Sequence, residues 1–195
     1  MLWSWLSTAR QSGEIITISN NVSPKVVLEI AKSHGGLTYE EAGVVCKVVD
    51  EYMISPEQFV TAEHVAKHAA KLFSRRAATG AQSRDQDSRV REVAQAVIDN
   101  MFSREGTTPY THNGYLKRFS LDPAIRKKLS TDYDLILIDE AQDLNPVTIG
   151  VIADQNIPAI FVGDRHQHIY EFNGAKDDGL CSAADVELRL TRSFR

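Results

Sequence analysis

Leu135-Ile136-Leu137-Ile138-Asp139-Glu140-Ala141-Gln142-Asp143-Leu144-Asn145-Pro146 is the stretch whose reading decides the fold. Four consecutive apolar residues make a strand-length run, too short for a buried helix. Such a run, without polar alternation, suits a parallel sheet covered on both faces. Asn145-Pro146 then starts a helix, with a capping amide ahead of a proline at the first helical position. That helix is expected to run to about Asp154. Ala159-Ile160-Phe161-Val162 forms a second apolar run. Strand, helix, strand predicts a parallel pair joined by a crossover. Residues 186–190 have the composition of a third strand.

Upstream, the pattern is helical. Residues 14–19 could form a short strand. Ser23-Pro24 opens a helix that Gly35-Gly36 ends. Thr38 with Glu41 makes a capping box for a helix reaching about Tyr52. Ser55-Pro56 with Gln58 repeats the pattern, and Thr61 caps the next helix. Residues 75–88 are polar and read as a loop. Val90, Val93, Ala94, Val97, Ile98 and Met101 then recur at helical spacing. Residues 103–109 break that helix, a short one covers 115–119, and Asp122-Pro123 starts another. The chain therefore divides into a mainly helical part, residues 1–110, and an α/β part, residues 111–195.

Composition narrows the function. The chain has 195 residues, 43% of them apolar and 25% charged, with a net charge of -4. These values predict a folded soluble protein with a core. The acidic balance gives no global field for nucleic acid, so such binding would need a local groove. No apolar run approaches the roughly 18 residues of a membrane span, and the N-terminus lacks the basic start of a signal peptide. Cys46 and Cys181 fit no metal or redox spacing, which favours a reducing compartment. His112, His166 and His168 lack cysteine partners or a ligand pattern, which argues against a structural metal.

The acidic end of the first strand carries the chemistry. Ligands of open parallel sheets sit at the carboxyl ends of the strands. There Asp139 can hold a magnesium ion, and Glu140 can orient and deprotonate a water. An isolated Asp-Glu would read as a solvated turn or a helix cap. The surrounding series changes that reading. Gly163-Asp164-Arg165-His166-Gln167-His168-Ile169-Tyr170-Glu171-Phe172-Asn173-Gly174-Ala175 follows the second strand, and Leu190-Thr191-Arg192-Ser193-Phe194-Arg195 closes the sequence.

Three spaced motifs in this order resemble the UvrD/Rep branch of superfamily 1 DNA helicases, above all the F-box DNA helicase group and its bacterial relatives. Thr111-His112-Asn113-Gly114-Tyr115-Leu116-Lys117 is similar to a segment that group carries just upstream of the acidic motif. The resemblance is strong over 111–195 and weaker over 23–102, which would match the family's helical insertion. It implies an incomplete RecA-like P-loop NTPase domain of the α/β class, with a parallel sheet and a helical insertion. The implied activity is ATP-dependent 3′-to-5′ translocation on single-stranded DNA and duplex unwinding, in repair or recombination. ATP and Mg2+ are the implied cofactors. The implied compartment is the cytoplasm, nucleoid-associated in a bacterium, or the nucleus in a eukaryote.

By the same resemblance, Asp139 is the magnesium ligand and Glu140 the catalytic base. Gln142 and Asp143 link the nucleotide site to the next motif. Gln167 senses the γ-phosphate, and Arg195 reaches it across a cleft between motor domains. Tyr170 and Phe172 stack on bases of the tracking strand, although alone they would read as core aromatics. His112, Tyr115 and Lys117 join them as DNA contacts. Lys117 and Arg118 are better backbone-contact candidates than Arg75, Arg76 and Arg84, which read as a solvated loop.

The sequence departs from the family in one respect above all. None of its eleven glycines is followed by lysine, so no Gly-x-x-x-x-Gly-Lys-Ser/Thr phosphate loop is present. Asn173 stands where many members carry arginine, and His168 replaces a smaller or amide residue. The resemblance therefore implies a partial motor whose isolated chain hydrolyses ATP very weakly. Two alternatives follow: an inactive DNA- or protein-binding remnant, or one half of a split motor completed by a partner polypeptide with the phosphate loop.

Overall fold

Side-chain caps set where the helices begin. The computed structural model describes residues 17–73, 80–123, 130–164 and 185–189, with backbone alone at 70–73 and 80–84. Ser23 caps α1 (Pro24–Ala31), and a 3-10 turn over Lys32–His34 ends at Gly35, whose φ of 84° is left-handed. The capping box of α2 (Tyr39–Ile54) is complete: Glu41 N donates to Thr38 Oγ1 at 3.3 Å, and Thr38 N donates to Glu41 Oε2 at 2.8 Å. Thr111 Oγ1 accepts from Gly114 N at 3.0 Å and starts α5 (His112–Leu121) three residues earlier than its sequence suggests.

At α3 (Ala62–Phe73) a histidine takes the place of the capping carboxylate. Thr61 N donates to His64 Nδ1 at 2.9 Å. Nδ1 is thus an acceptor, and the ring proton sits on Nε2, 3.5 Å from the Glu57 carboxylate. Burial holds the His64 imidazole below its ordinary value, against the opposing pull of Glu57 and Glu51.

The polar stretch read as a loop over 75–88 is helical from Gly80 onward, as the first turns of α4 (Gly80–Phe102). The apolar half of α4 is anchored in a core, and helix propagates from an existing segment even through weak formers such as Ser83, Asp85 and Ser88. Conversely, Ser55-Pro56 starts no helix. The backbone groups there find side chains instead: Tyr52 Oη donates to Gln58 O at 2.8 Å, and Val60 N donates to Gln95 Oε1 at 3.1 Å. The strand expected over 14–19 appears, in its described part, as a single bridge between Ile18 and Tyr110.

Two compact units result, residues 1–53 with 57–118 and residues 54–56 with 119–195. In the first, Val27 and Ala31 of α1, Val45, Val48 and Val49 of α2, and Val93, Val97, Ile98 and Met101 of α4 form the core, with Val65 and Ala69 of α3. Valine is a modest helix former, so burial outweighs local preference here.

In the second unit, β1 (Ile136–Ile138) and β2 (Ala159–Phe161) pair in parallel, with Ile136 opposite Ala159, Leu137 opposite Ile160 and Ile138 opposite Phe161. The crossover contains α6 (Pro146–Ala153), capped by Asn145 Oδ1, which accepts from Thr148 N at 2.9 Å. Val147 and Val151 of α6 are buried. The architecture is mixed α/β with a small parallel sheet. Two expectations are corrected. The sheet is not covered on both faces by described residues: Leu135, Leu137, Ile160 and Val162 share one face, and Leu137 is 70% exposed. The described part of the expected third strand is not a strand: residues 185 and 186 form a bend, 187–189 are irregular with Leu188 89% exposed, and they pair with no described strand. No helix among the described residues is long and apolar enough to cross a membrane.

The histidine cap ties stability to pH. The folded chain protonates His64 less readily than the unfolded chain, whose value is near 6.5. The stability from the neutral cap is therefore present above that pH and lost as the pH falls through the lower folded value. Thermal melts should show declining stability from pH 7 to pH 5. H64Q keeps an acceptor without a titrating ring and should decline less steeply. H64A should cost about 1 kcal/mol at pH 7. A pH profile identical in wild type and H64Q would refute the assignment.

Candidate acidic site at the end of β1

Asp139 and Glu140 are both exposed where β1 ends. One Asp139 oxygen accepts from Glu140 N at 2.9 Å. Glu140 has φ 49° and ψ 42°, the left-handed region, and is the single non-glycine there among the described residues. A side chain in that conformation costs roughly 1 kcal/mol or more, and such strain concentrates at functional positions. The kink turns the chain into a 3-10 turn over Ala141–Asp143.

Gln142 secures the kink. The residue is buried; its Nε2 donates to Glu140 Oε2 at 2.7 Å and its Oε1 accepts from Asp164 N at 3.0 Å. Backbone bonds reinforce the link, with Ala141 N donating to Val162 O at 2.9 Å and Val162 N to Ile138 O at 2.8 Å. The carboxylate after β1 and the segment leaving β2 are therefore joined through one amide that serves as donor and acceptor. Gly163 makes the approach possible. A Cβ there would collide with the Gln142 amide oxygen and stand 3.2 Å from the backbone nitrogens of Ala141 and Gln142.

The donor set fits magnesium of the phosphate-bridging kind. Hard carboxylate oxygens suit it, and magnesium usually keeps waters and phosphate ligands beside one or two carboxylates. No group of three or more metal-ligating side chains occurs among the described residues, so an all-protein cage is not what these residues form. Asp143 Oδ1 is buried without a hydrogen-bond partner, a polar atom left over at this turn.

The other anticipated residues are dispersed or lie outside the description. Gln167, Tyr170, Phe172 and Arg195 fall outside the described residues. His112 is exposed, and its Nδ1 is 3.0 Å from the hydroxyl of half-buried Tyr115. Lys117 requires a correction. It is fully buried, with Nζ 4.2 Å from the Tyr52 ring centroid and bonded to the Glu57 carbonyl. Burial lowers its pKa to about 8 and raises that of Tyr52 to about 12. A cation held inside in this way is not presented to a DNA backbone. Its location follows from helical phase, since Lys117 lies one turn after buried Gly114 on the inward side of α5. The sequence reading also missed His64 as a cap, although Thr61-x-x-His64 has capping-box spacing.

A strained acidic turn at the carboxyl end of a parallel strand, clamped to the exit of the next strand, stands where open α/β sheets bind their ligands. The chain matches the UvrD/REP helicase N-terminal domain family over residues 19–185, most of its length, and belongs to that family. Residues of the chain are 35% identical to F-box DNA helicase 1 of Gallus gallus over 108 positions, 53% of this chain and 10% of that protein. They are 43% identical to F-box DNA helicase protein 1 of Schizosaccharomyces pombe over 68 positions, 32% of this chain and 8% of that protein. The chain thus spans about a tenth of the length of these curated relatives.

The clamp makes a specific demand. G163A should destabilise the second unit by about 1–3 kcal/mol through overpacking. By hydrogen exchange, Q142L should expose the Asp164 amide while Val162, bonded to Ile138 O, keeps its protection. Wild-type protection of Asp164 in Q142L would show that the amide bridge does not hold the two segments together.

Proposed function

We propose that this chain is part of the nucleotide-hydrolysing motor of an ATP-dependent DNA helicase, acting on single-stranded or partly duplex DNA in the cytoplasm or nucleus. The observation that carries the proposal is the acidic turn itself: Asp139 and Glu140 at a parallel strand end, with Glu140 clamped through Gln142 to Asp164. In this reading the α/β unit is an incomplete RecA-like domain and the helical unit is the insertion within it.

Magnesium, when bound, would offset phosphate charge beside Asp139. Asp139 would hold it through carboxylate oxygen. Glu140 would orient the attacking water and take its proton. Gln142 would keep the Glu140 carboxylate aimed by donating to one of its oxygens. Gln167 and Arg195 are proposed to meet the γ-phosphate, and Tyr170 and Phe172 to stack on bases. Relatives that are named F-box DNA helicases support DNA as the substrate. Lys117 is omitted from the DNA contacts because it is buried.

A DNA-stimulated ATPase assay tests this reading. The chain alone should turn over ATP barely above background, because its sequence has no Gly-Lys-Ser/Thr loop. Fused behind a phosphate-loop segment from an F-box DNA helicase, it should hydrolyse ATP, and E140Q in that fusion should lower kcat by at least about 100-fold. Robust turnover by the unfused chain, abolished in E140Q, would show that no added loop is needed. A folded fusion without turnover would overturn the motor assignment.

A further inference from the structure

Glu57 is engaged by two helices at once. Its carbonyl oxygen accepts from the Lys117 ammonium of α5, and its carboxylate stands 3.5 Å from His64 Nε2 of α3. The His64 side chain is 6% exposed, whereas the Glu57 side chain is 43% exposed and has water on one side. Tyr52 of α2 is next to both helices. Its ring has the Lys117 ammonium 4.2 Å from the centroid and meets the His64 ring edge to face, centroids 6.0 Å apart. An imidazole, an ammonium and a carboxylate thus meet around one phenol.

The neutral imidazole and the imidazolium have different partners. Nδ1 of the neutral ring accepts from Thr61 N at 2.9 Å and so caps α3, with Thr61 Oγ1 2.8 Å from the same nitrogen. A proton on Nδ1 turns this acceptor into a donor. The hydroxyl can turn to accept from it, but the Thr61 amide loses its acceptor. On the other side of the ring, a cationic Nε2–H draws in the Glu57 carboxylate as a charge-assisted pair. Burial holds the ring neutral; Glu57 and Glu51 pull toward the cation, and Lys117 and Lys67 oppose them. One turn on, His68 Nε2 is buried without a hydrogen bond, 3.8 Å from Glu51 Oε2. Burial keeps His68 low as well, with Lys47 and Lys67 reinforcing it against Glu51. Lys67 itself pairs with Glu51, and Asp99 of α4 acts on Tyr52.

We propose that His64 and Glu57 form a proton-operated latch at the start of α3: a proton on His64 opens the cap on Thr61 and closes an ion pair on Glu57, and Lys117 sets the pH of the exchange. Lys117 acts in two ways. Its charge opposes a second cation nearby, and its bond to the Glu57 carbonyl fixes the backbone that carries the carboxylate. The cap state is the neutral one. It holds at pH 7 and gives way only below the ordinary imidazole value of 6.5, since the folded value is lower. Coupling is reciprocal, so a proton on His64 must also loosen the proton on Lys117, whose pKa burial has already lowered to about 8. One residue, Glu57, therefore joins the proton state of α3 to that of α5.

NMR titration of the full chain from about pH 8 to about pH 4.5 tests the latch, with the His64 signal assigned by its loss in H64Q. As His64 takes its proton, the Thr61 amide should lose about fivefold in protection, after correction for intrinsic exchange; that ratio corresponds to about 1 kcal/mol of capping. H64Q should abolish this loss, and H68Q should leave it in place. The core amides of Val48 and Val97 should keep their protection, which separates opening of the latch from unfolding. E57Q retains the carbonyl that holds Lys117 and removes the charge, so His64 should titrate at lower pH. K117M should move the His64 titration to higher pH; if that variant does not fold, E57Q and the Thr61 response still decide. An unchanged His64 titration in folded E57Q would overturn the ion pair and with it the latch. So would Thr61 protection that ignores the His64 titration, or that falls only in step with Val48 and Val97.

Discussion

The parallel register of β1 and β2 is the constraint on which the acidic site depends. With Ile138 opposite Phe161, the ends of both strands emerge side by side. Only then can Val162 bond to Ile138 and Ala141 to Val162, so that the chain after β1 lies against the chain after β2. A slip of one residue would turn every side chain on the strand to the other face. It would also carry Gln142 away from Asp164. Because residues far apart in sequence form the site, its geometry is only as firm as this short ladder and the amide bridge beside it.

The turn invests conformational energy in orientation. A left-handed glutamate is unfavourable by itself, and glycine would fit Glu140's backbone better. Glycine would remove the carboxylate, however. The hydrogen bonds to Gln142 and the backbone bonds around Ala141 offset the strain and hold an exposed acid in one place. Backbone strain of this kind concentrates at functional positions. Gly163 is the complement: it lies where a side chain would push the Gln142 amide oxygen out of its bond.

In the helical unit, several polar groups near the core find partners inside the protein, while His68 Nε2 and Asp87 Oδ1 are buried without a hydrogen bond. His64 replaces a carboxylate in a capping box and stays neutral to do so. Asn100 Oδ1 accepts from the backbone of Thr107 and Thr108 and organises the turn after α4. Lys117 is the costliest guest, a buried cation offset by an aromatic face and a carbonyl. Its burial keeps α5 in one rotation, which in turn decides what the helix presents to solvent.

Much of this could be read from local pattern. The capping pairs at Thr38 and Asn145, the two apolar strands and the order of the acidic and Gly163-Asp164 motifs are short-range features, each governed by neighbours within a few residues. The sequence by itself therefore determined most of the helices, the parallel pair and the family, and it pointed to the acidic residues as the candidate site. It misjudged 80–88, where polarity reads as loop but a helix anchored downstream simply continues. Only the tertiary structure decided the left-handed backbone of Glu140, the partners of Gln142 and which of Lys117 and Arg118 faces water. Those outcomes depend on groups distant in the chain, Asp164 for Gln142, Tyr52 and Glu57 for Lys117, and no local periodicity encodes which distant surface a side chain will meet.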